Sequence, residues 1–260
     1  MWDTYSNSYG LVKALSKKKL DTWFFITADY AFGHALERDT EAVVIKNGGK
    51  VLGKVRHPFP GQDFSSFLLQ AQASKAKVIG LANAGGDTIN SIKQAGEFGI
   101  VAGGQKLAGL LVFSSDVQAL GLQTAQGLVL TESYYWDLND QTREFAKRFS
   151  DKHQGKVPTM VQAGVYSAIL HYLKAVEATK SKEPATVLAK MKEMPTDDPV
   201  FGKGSIRADG RKLHPMYLFE VKKPAESKGK NDLYKLIATL PAETAFRPLS
   251  ESECPLVKKS

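Results

Sequence analysis

Uninterrupted apolar runs alternate with segments of helical spacing along the first half of the chain. The run from Trp23 to Ile26 has no polar alternation, which is typical of a strand covered on both faces of a parallel sheet. Asp29 follows it as a predicted helix N-cap, and Asn47-Gly48-Gly49 supplies a helix end. Between these signals one helical face collects the apolar side chains of Phe32, Leu36, Val43 and Val44.

The same strand, turn and helix recur further along the chain. We predict strands over 51–57, 78–82, 107–113 and 127–135, with helices between them and a lead-in helix within residues 1–20. Asp63 is the predicted cap of the helix that follows the second strand. This rhythm from 22 to 135 predicts a doubly wound parallel sheet, an α/β fold.

The pattern changes after residue 137. Residues 140–195 show helical spacing, and residues 198–240 show strands, with 216–221 and 233–237 flanking a lysine-rich loop as a hairpin would. Helices followed by a hairpin do not continue a strand-helix-strand sheet. We therefore expect a second lobe to begin near 137 and to include the hairpin.

Composition and charge narrow the function classes. The 260 residues are 43% hydrophobic, and no apolar stretch approaches the ~18 residues of a membrane helix. The first residues show no signal-peptide pattern. The net charge is +8, but the lysines are spread out and not interleaved with aromatic residues, so we interpret them as solvated charge and expect no nucleic-acid partner. Cys254 is the only cysteine.

Catalytic signatures are missing from the sequence. Residues 80–86 contain glycines at a spacing that is not the dinucleotide-binding pattern, and there is no phosphate-binding loop or nucleophile elbow. The five histidines are scattered, with no pair at metal-ligand spacing. We expect no enzyme activity, no cofactor and no metal site, although a catalytic pair assembled through space stays open as an alternative.

The candidate site consists of turns that follow parallel strands and therefore meet at one edge of the sheet. They offer hydroxyls, an amide, glycine amides and helix N-termini, which suit a small polar or anionic ligand. The alternative for the three aspartates is simple helix capping, and the aromatic residues of the first turn could equally be core. An aromatic run at the lobe junction completes the set. The candidate residues are Asp29, Tyr30, Phe32, Asn83, Ala84, Gly85, Asp87, Ser114, Ser115, Asp116, Tyr134 and Trp136.

Several motifs together resemble the type I periplasmic binding proteins, in particular the branched-chain amino-acid and aromatic-acid receptors of ABC importers. They are Asp29-Tyr30-Ala31-Phe32-Gly33, Gly85-Gly86-Asp87, Gly127-Leu128-Val129, residues 158–166, residues 201–204, residues 207–211 and residues 245–249. The resemblance covers nearly the whole chain. It departs from the family at the start, where the family's signal peptide and first strand-helix units are lacking.

The resemblance implies one complete doubly wound parallel-sheet lobe plus part of a second α/β lobe. Its divisions would be 1–17 as a lead-in helix from the first lobe, 18–133 as the second lobe, 134–139 as a hinge, 140–245 as the returning part of the first lobe, and 246–260 as a C-terminal segment. It also implies a periplasmic receptor that binds a small ligand between two lobes and delivers it to an ABC transporter permease. A ligand-sensing regulatory module of the same fold and a cytosolic α/β enzyme are the alternatives.

Two further expectations concern the ligand and the completeness of the fold. An amino acid would need one of the candidate aspartates for its ammonium group, whereas an aromatic carboxylate would stack on Tyr30, Tyr134 or Trp136; the aromatic residues favour the second. The helix from about Val161 to Leu173 carries a broad apolar face that a sheet should cover. We expect this face to stay exposed, because the family's first-lobe strands are lacking.

Overall fold

A computed structural model describes residues 2–252, 254, 255 and 257. The chain divides into two compact units. We call residues 2–132 and 217–239 the sheet unit, and residues 133–216 with the described part of 240–260 the helical unit. Among the described residues no helix has both the length and the apolarity needed to cross a membrane.

Strands and helices alternate through the first 132 residues, as the sequence predicts. They are α1 (Thr4–Lys17), β1 (Thr22–Ala28), α2 (Ala31–Lys46), β2 (Lys50–His57), α3 (Ser65–Ala73), β3 (Val78–Ala82), α4 (Gly86–Glu97), β4 (Lys106–Gly109), α5 (Ser114–Leu120), α6 (Leu122–Ala125) and β5 (Val129–Glu132). The remaining elements are α7 (Asp140–Lys152), α8 (Met160–Thr179), α9 (Pro184–Glu193), β6 (Thr196–Asp198), β7 (Gly202–Ile206), β8 (Lys212–Leu213), β9 (Met216–Val221), β10 (Tyr234–Leu240) and α10 (Ala242–Ala245).

A seven-stranded sheet forms the centre of the sheet unit, in the order β2-β1-β3-β4-β5-β9-β10. The first five strands run parallel, so the predicted doubly wound sheet is confirmed. The chain leaves β1 to form β2 on one side and returns to form β3 on the other. The junction of β1 and β3 is therefore the topological switch point, where ligands of open α/β sheets bind at the carboxyl ends of the strands.

The hairpin of β9 and β10 differs from the sequence-based expectation. It was expected to lie with the helical region, but β9 pairs antiparallel with β5, with Glu132 opposite Tyr217. The hairpin thereby covers the edge of β5, whose backbone groups would otherwise lack partners. The local sequence pattern predicts the hairpin, but it does not predict that the hairpin pairs with β5.

The core of the sheet unit lies in its central strands. β3 is buried throughout and β1 nearly so, which agrees with their uninterrupted apolar sequence. β4 is shorter than predicted: it ends at Gly109, and Leu110, Leu111 and Val112 continue as buried irregular chain. The apolar sequence therefore predicts the burial of these three residues correctly, but it does not show where the strand ends.

The predicted cap at Asp29 is wrong. α2 begins after Tyr30, which makes no side-chain capping bond. The Asp29 carboxylate instead lies 2.7 Å from Nε2 of His34, and its backbone amide donates to the carbonyl of His57. Asp63 precedes the N-cap residue Phe64, yet its carboxylate still accepts from the Ser65 amide at 2.9 Å.

The helical unit leaves one side of α8 uncovered. α8 buries small or polar residues such as Ala163, Gly164 and Ser167, whereas Val165, Ile169 and Leu173 are about half exposed, at 49%, 54% and 55%. The exposed apolar face that the sequence predicts is therefore confirmed. The larger apolar side chains of α8 are thus the ones that no other described element covers.

A buried ion pair holds the small sheet of the helical unit to α8. Nζ of Lys212 on β8 lies 2.6 Å from the carboxylate of Asp198 on β6, which also accepts from Ser167 Oγ at 2.7 Å. Although burial opposes ionisation of Asp198, the Lys212 ammonium group lowers the pKa of that carboxyl. The charge of each residue thus depends on the other.

Candidate ligand-binding site

The turns after β1 and β3 flank the switch point of the sheet unit. The first contains Asp29 and Tyr30, and the second runs from Asn83 to Gly85. Because β1 and β3 are neighbouring parallel strands, both turns lie at the same edge of the sheet. The sequence-based expectation that these turns share one edge agrees with this geometry.

Five aromatic side chains form a continuous row at this edge. The Tyr30 ring stacks on Phe59 with 4.4 Å between centroids and lies 5.9 Å from Phe32. Trp2 packs edge-on against Phe32 at 6.3 Å and lies 6.4 Å from Phe113. Phe59 is 55% exposed, whereas the other four rings are half-buried. The rings are inclined to one another by 18° to 69°, so the row offers apolar ring surfaces to a ligand and not one flat wall.

Three members of this row are not among the candidate residues predicted from the sequence. Trp2 precedes the lead-in helix, Phe59 lies between two prolines in the turn after β2, and Phe113 ends an apolar run. Only the position of Phe113, next to Ser114 and after a parallel strand, was a usable signal. Nε1 of Trp2 is buried and has no hydrogen-bond partner among the described residues, so its N–H is available as a donor.

Burial changes the ionisation of the tyrosine in this row. Burial raises the pKa of the Tyr30 phenol, and the Asp87 carboxylate adds to the effect. The phenol is therefore protonated at neutral pH and can act as a donor. Gly33 follows Phe32 at the start of α2, where a Cβ atom would collide with the carbonyl oxygen of Ala28. This close approach fixes the position of the helix against β1.

Asn83 is fully buried and its side chain is occupied by protein partners. Its amide nitrogen lies 3.2 Å from both Nε2 of His57 and Oγ of Ser91, and its carbonyl oxygen accepts from Thr88 at 2.7 Å. Nδ1 of His57 donates to the Pro58 carbonyl at 2.9 Å, which makes Nε2 the acceptor for Asn83. The Asn83 side chain is thus held by His57, Ser91 and Thr88, and it fixes the turn after β3 in place.

Asp87 belongs to the same buried group. One carboxylate oxygen accepts from the Gly61 amide at 3.0 Å, so the residue ties the turn after β2 to α4 instead of capping its own helix. The other oxygen lies 3.8 Å from Nδ1 of His57 and has no hydrogen-bond partner among the described residues. A ligand donor or a water can satisfy this oxygen.

The second turn leaves room for a ligand at Gly85. Its backbone has φ of 58° and ψ of −128°, a conformation that favours glycine, and a Cβ atom there would meet nothing within 4 Å. Ala84 beside it is half-buried. α4 begins at Gly86, so the free amides of its first turn lie next to this open space.

The turn after β4 places its three predicted residues differently. Ser115 is exposed, whereas Ser114 and Asp116 are buried. The Asp116 carboxylate accepts from the Phe113 amide at 2.9 Å, so here the capping alternative holds. Burial raises the pKa of Asp116, although the bond from the Phe113 amide opposes this.

Two predicted aromatic residues lie in the helical unit. Tyr134 is fully buried there, packs edge-on against Phe145 at 6.1 Å and donates to the Thr142 carbonyl at 3.3 Å. Burial raises the pKa of its phenol. Trp136 is half-buried, with its ring 6.0 Å from that of Tyr135. Tyr134 is therefore a core residue of its unit.

Most of the chain matches the sequence pattern of a known protein family. The sequence pattern of the family described as periplasmic binding protein matches residues 1–230. The chain belongs to this family. The resemblance seen in the motifs is thereby confirmed, and so is the type I periplasmic-binding-protein fold.

Two solved periplasmic binding proteins are similar over nearly the whole chain. One from Burkholderia mallei is 54% identical with a TM-score of 0.94, covering 98% of this chain and 68% of its own. The other, a branched-chain amino-acid ABC transporter ligand-binding protein from Burkholderia xenovorans LB400, is 44% identical with a TM-score of 0.88, covering 97% and 67%. Family members thus include receptors of ABC transporters.

A curated relative and a ligand-bound structure extend the comparison. The Leu/Ile/Val-binding protein homolog 6 of Brucella melitensis is 27% identical over 233 residues, 85% of this chain, and the chain spans 58% of its length. A solute-binding protein of an ABC transporter from Rhodopseudomonas palustris HaA2, solved with p-hydroxybenzoic acid, is 25% identical with a TM-score of 0.82, covering 94% of this chain and 66% of its own.

Proposed function

We propose that this periplasmic binding protein is the receptor of an ABC importer that captures an aromatic carboxylate and delivers it to a membrane permease. The observation that carries the proposal is the aromatic row of Phe59, Tyr30, Phe32, Trp2 and Phe113 at the switch point. An aromatic ligand can stack on a ring of this row, whereas an aliphatic amino acid would use little of its ring surface. The Rhodopseudomonas palustris relative, found with p-hydroxybenzoic acid, supports the same ligand class.

Polar groups beside the row suit the rest of such a ligand. α4 begins at Gly86, next to the open space at Gly85, and amides at a helix N-terminus favour a carboxylate. One Asp87 oxygen and the Trp2 N–H, both buried and without a hydrogen-bond partner among the described residues, offer an acceptor and a donor for a ring hydroxyl. No group in this set is arranged for covalent chemistry, which fits a receptor.

The proposal includes location and motion. Family membership supports a periplasmic location, and we place the hinge at 134–139, as the motifs suggest. The chain passes between its two units near residues 133, 217 and 240, so the first of these crossings adjoins the proposed hinge. Hinge closure around a ligand is the usual motion of such receptors.

Calorimetric titration tests the proposed ligand class. The full chain is titrated with 4-hydroxybenzoate, phenylalanine and leucine. We expect 4-hydroxybenzoate to bind most tightly, and Tyr30→Ala to weaken its binding by about 1–3 kcal/mol because a buried stacking surface is lost. Tyr172→Ala, which removes an exposed ring on α8, is the control and should leave affinity unchanged. Preferred binding of leucine, insensitive to Tyr30→Ala, would refute the aromatic assignment.

A further inference from the structure

Lysines of the sheet unit gather at the edge where the parallel strands begin, opposite the candidate site. Lys17, Lys18 and Lys19 precede β1, Lys50 opens β2, Lys75 precedes β3 and Lys106 opens β4. All six are exposed, and none forms an ion pair with a described residue. We call these six residues the basic edge.

Backbone contacts show that the basic edge is continuous. The Lys50 amide donates to the Asp21 carbonyl at 2.8 Å, and the Lys106 amide donates to the Lys77 carbonyl at 2.8 Å. Nζ of Lys77 reaches the carbonyl of Lys19, also at 2.8 Å. Since neighbouring strands lie about 4.8 Å apart, the four strand starts span about 15 Å. Lysines scattered in sequence thus form one surface.

Helix capping explains only part of this arrangement. Lys17 lies in the last turn of α1 and Lys18 is its C-cap residue, where cations interact favourably with the helix dipole, but the other four lie beyond their helices. Lys19 and Lys75 adopt left-handed backbone, with φ of 59° and 56°, just past helix ends where glycine is the usual residue. Lys180, the C-cap residue of α8 in the helical unit, adopts the same conformation, so the backbone alone does not distinguish the basic edge.

Exposed apolar side chains lie at the same edge. Ile45 in the last turn of α2 has 59% of its surface exposed, and Phe98 and Val101, which follow α4, are 37% and 42% exposed. Val101 shares a hollow of about 210 Å³ with Lys106 and Lys223. Cations beside protruding apolar side chains are the combination that binds an anionic lipid surface, by headgroup attraction and shallow insertion.

The candidate-site edge carries charges of both signs. Asp29 and Asp63 are exposed there, but the Asp29 carboxylate lies 2.7 Å from Nε2 of His34 and 4.0 Å from Nη1 of Arg56. Asp87 and Asp116 are buried. A negatively charged surface therefore attracts the basic edge, with the candidate site at the other end of the strands.

We propose that the basic edge binds an anionic phospholipid surface, weakly and reversibly, with the ligand-binding edge directed away from the lipid. The basic edge contains lysines and no arginine, so it offers point charges to a charged surface instead of the fork that recognises single phosphates in nucleic acid. It also lacks a row of aromatic rings for base stacking. Such binding would concentrate the receptor beside its permease while the site stays open to ligand.

Vesicle sedimentation of the full chain tests the proposal. Vesicles of phosphatidylglycerol and phosphatidylcholine are compared with phosphatidylcholine alone. We expect binding only to the anionic vesicles, decreasing as sodium chloride is raised. Because each lysine near such a surface contributes about a fivefold change in partitioning, replacing Lys17, Lys18 and Lys19 by Gln should weaken binding about 100-fold.

A charge-matched variant distinguishes the basic edge from net charge. Lys147→Gln, Lys152→Gln and Lys156→Gln remove three exposed lysines from the helical unit. This triple variant should retain vesicle binding within about threefold. Equal loss in both triple variants would overturn the assignment to the basic edge. Duplex DNA is a second arm: binding to DNA that depends on the basic edge, without vesicle binding, would overturn the lipid proposal. Ligand titrations of the same variants separate this result from the proposed receptor function.

Discussion

A buried carboxyl group makes the stability of the sheet unit depend on pH. Glu132 ends β5 with no exposed surface, and one of its oxygens accepts from the Tyr234 hydroxyl at 2.8 Å. Burial raises the pKa of Glu132 well above its ordinary value, the bond from Tyr234 opposes the rise, and the Asp116 carboxylate adds to it. We predict that Glu132→Gln removes a pH dependence that the parent chain shows.

The sign follows from comparing the folded and unfolded states. Below about pH 4.5 Glu132 is protonated in both, and it contributes its full stability. As the pH rises further, the unfolded chain releases the proton first, so the free energy of unfolding falls by up to about 1.4 kcal/mol per pH unit. From pH 5 to 7 the parent should lose up to about 2.7 kcal/mol relative to Glu132→Gln, which keeps an acceptor for Tyr234 but cannot ionise.

Urea unfolding at pH 5, 6 and 7, followed by tryptophan fluorescence, measures this difference, since Trp23 is fully buried in β1. Glu97→Gln at the exposed end of α4 is the control and should parallel the parent. Tyr234→Phe should cost about 1–3 kcal/mol by leaving a buried acceptor without its donor. A constant difference between parent and Glu132→Gln across this pH range would refute the reasoning.

Three further predictions follow from other parts of the chain. Gly85→Ala should lower the free energy of unfolding by about 1–3 kcal/mol in thermal denaturation because of its backbone conformation, whereas Gly86→Ala next to it should cost little. Lys212→Met should destabilise the helical unit by about 3–5 kcal/mol in urea unfolding, because it leaves the buried Asp198 charge uncompensated. Adding Asp198→Asn should recover part of this loss. An unchanged urea midpoint in the Lys212→Met variant would contradict the prediction. The exposed face of α8 should make the chain bind a hydrophobic dye and aggregate. The double variant Ile169→Gln, Leu173→Gln should reduce dye fluorescence, whereas the control Lys174→Gln should not. Equal fluorescence of the parent, the double variant and the control would contradict this prediction.

The strands could be predicted from the sequence because burial on both faces leaves a local signature. The apolar runs of β1 and β3 give their bounds nearly to the residue. The same signature misleads at residues 110–112, which are equally buried but lie beyond the end of β4. Apolar sequence reports that a segment is covered, and the hydrogen-bond partner that makes it a strand lies elsewhere in the chain.

The candidate site was predicted less completely, because its members meet only in the folded chain. The turns at Tyr30 and Gly85 follow from strand ends, but Trp2 and Phe59 come from segments with no strand-end signal. Asn83 was correctly placed at the edge, yet its amide is held by His57, a residue 26 positions away. The gathering of the lysines at one edge of the sheet likewise cannot be recognised until the strand order is known.

The position of β9 in the sheet has a consequence for biosynthesis. β5 ends at Glu132, and its neighbour β9 begins at Met216, after the chain of α7, α8 and α9. As the chain is synthesised from its N-terminus, the four strands before β5 can pair in order, but the far side of β5 stays open until residue 221 has emerged. During that interval the open strand can pair with another chain. We expect nascent chains that end before residue 216 to require more chaperone protection than chains extending past 240, in which β9 covers the edge of β5.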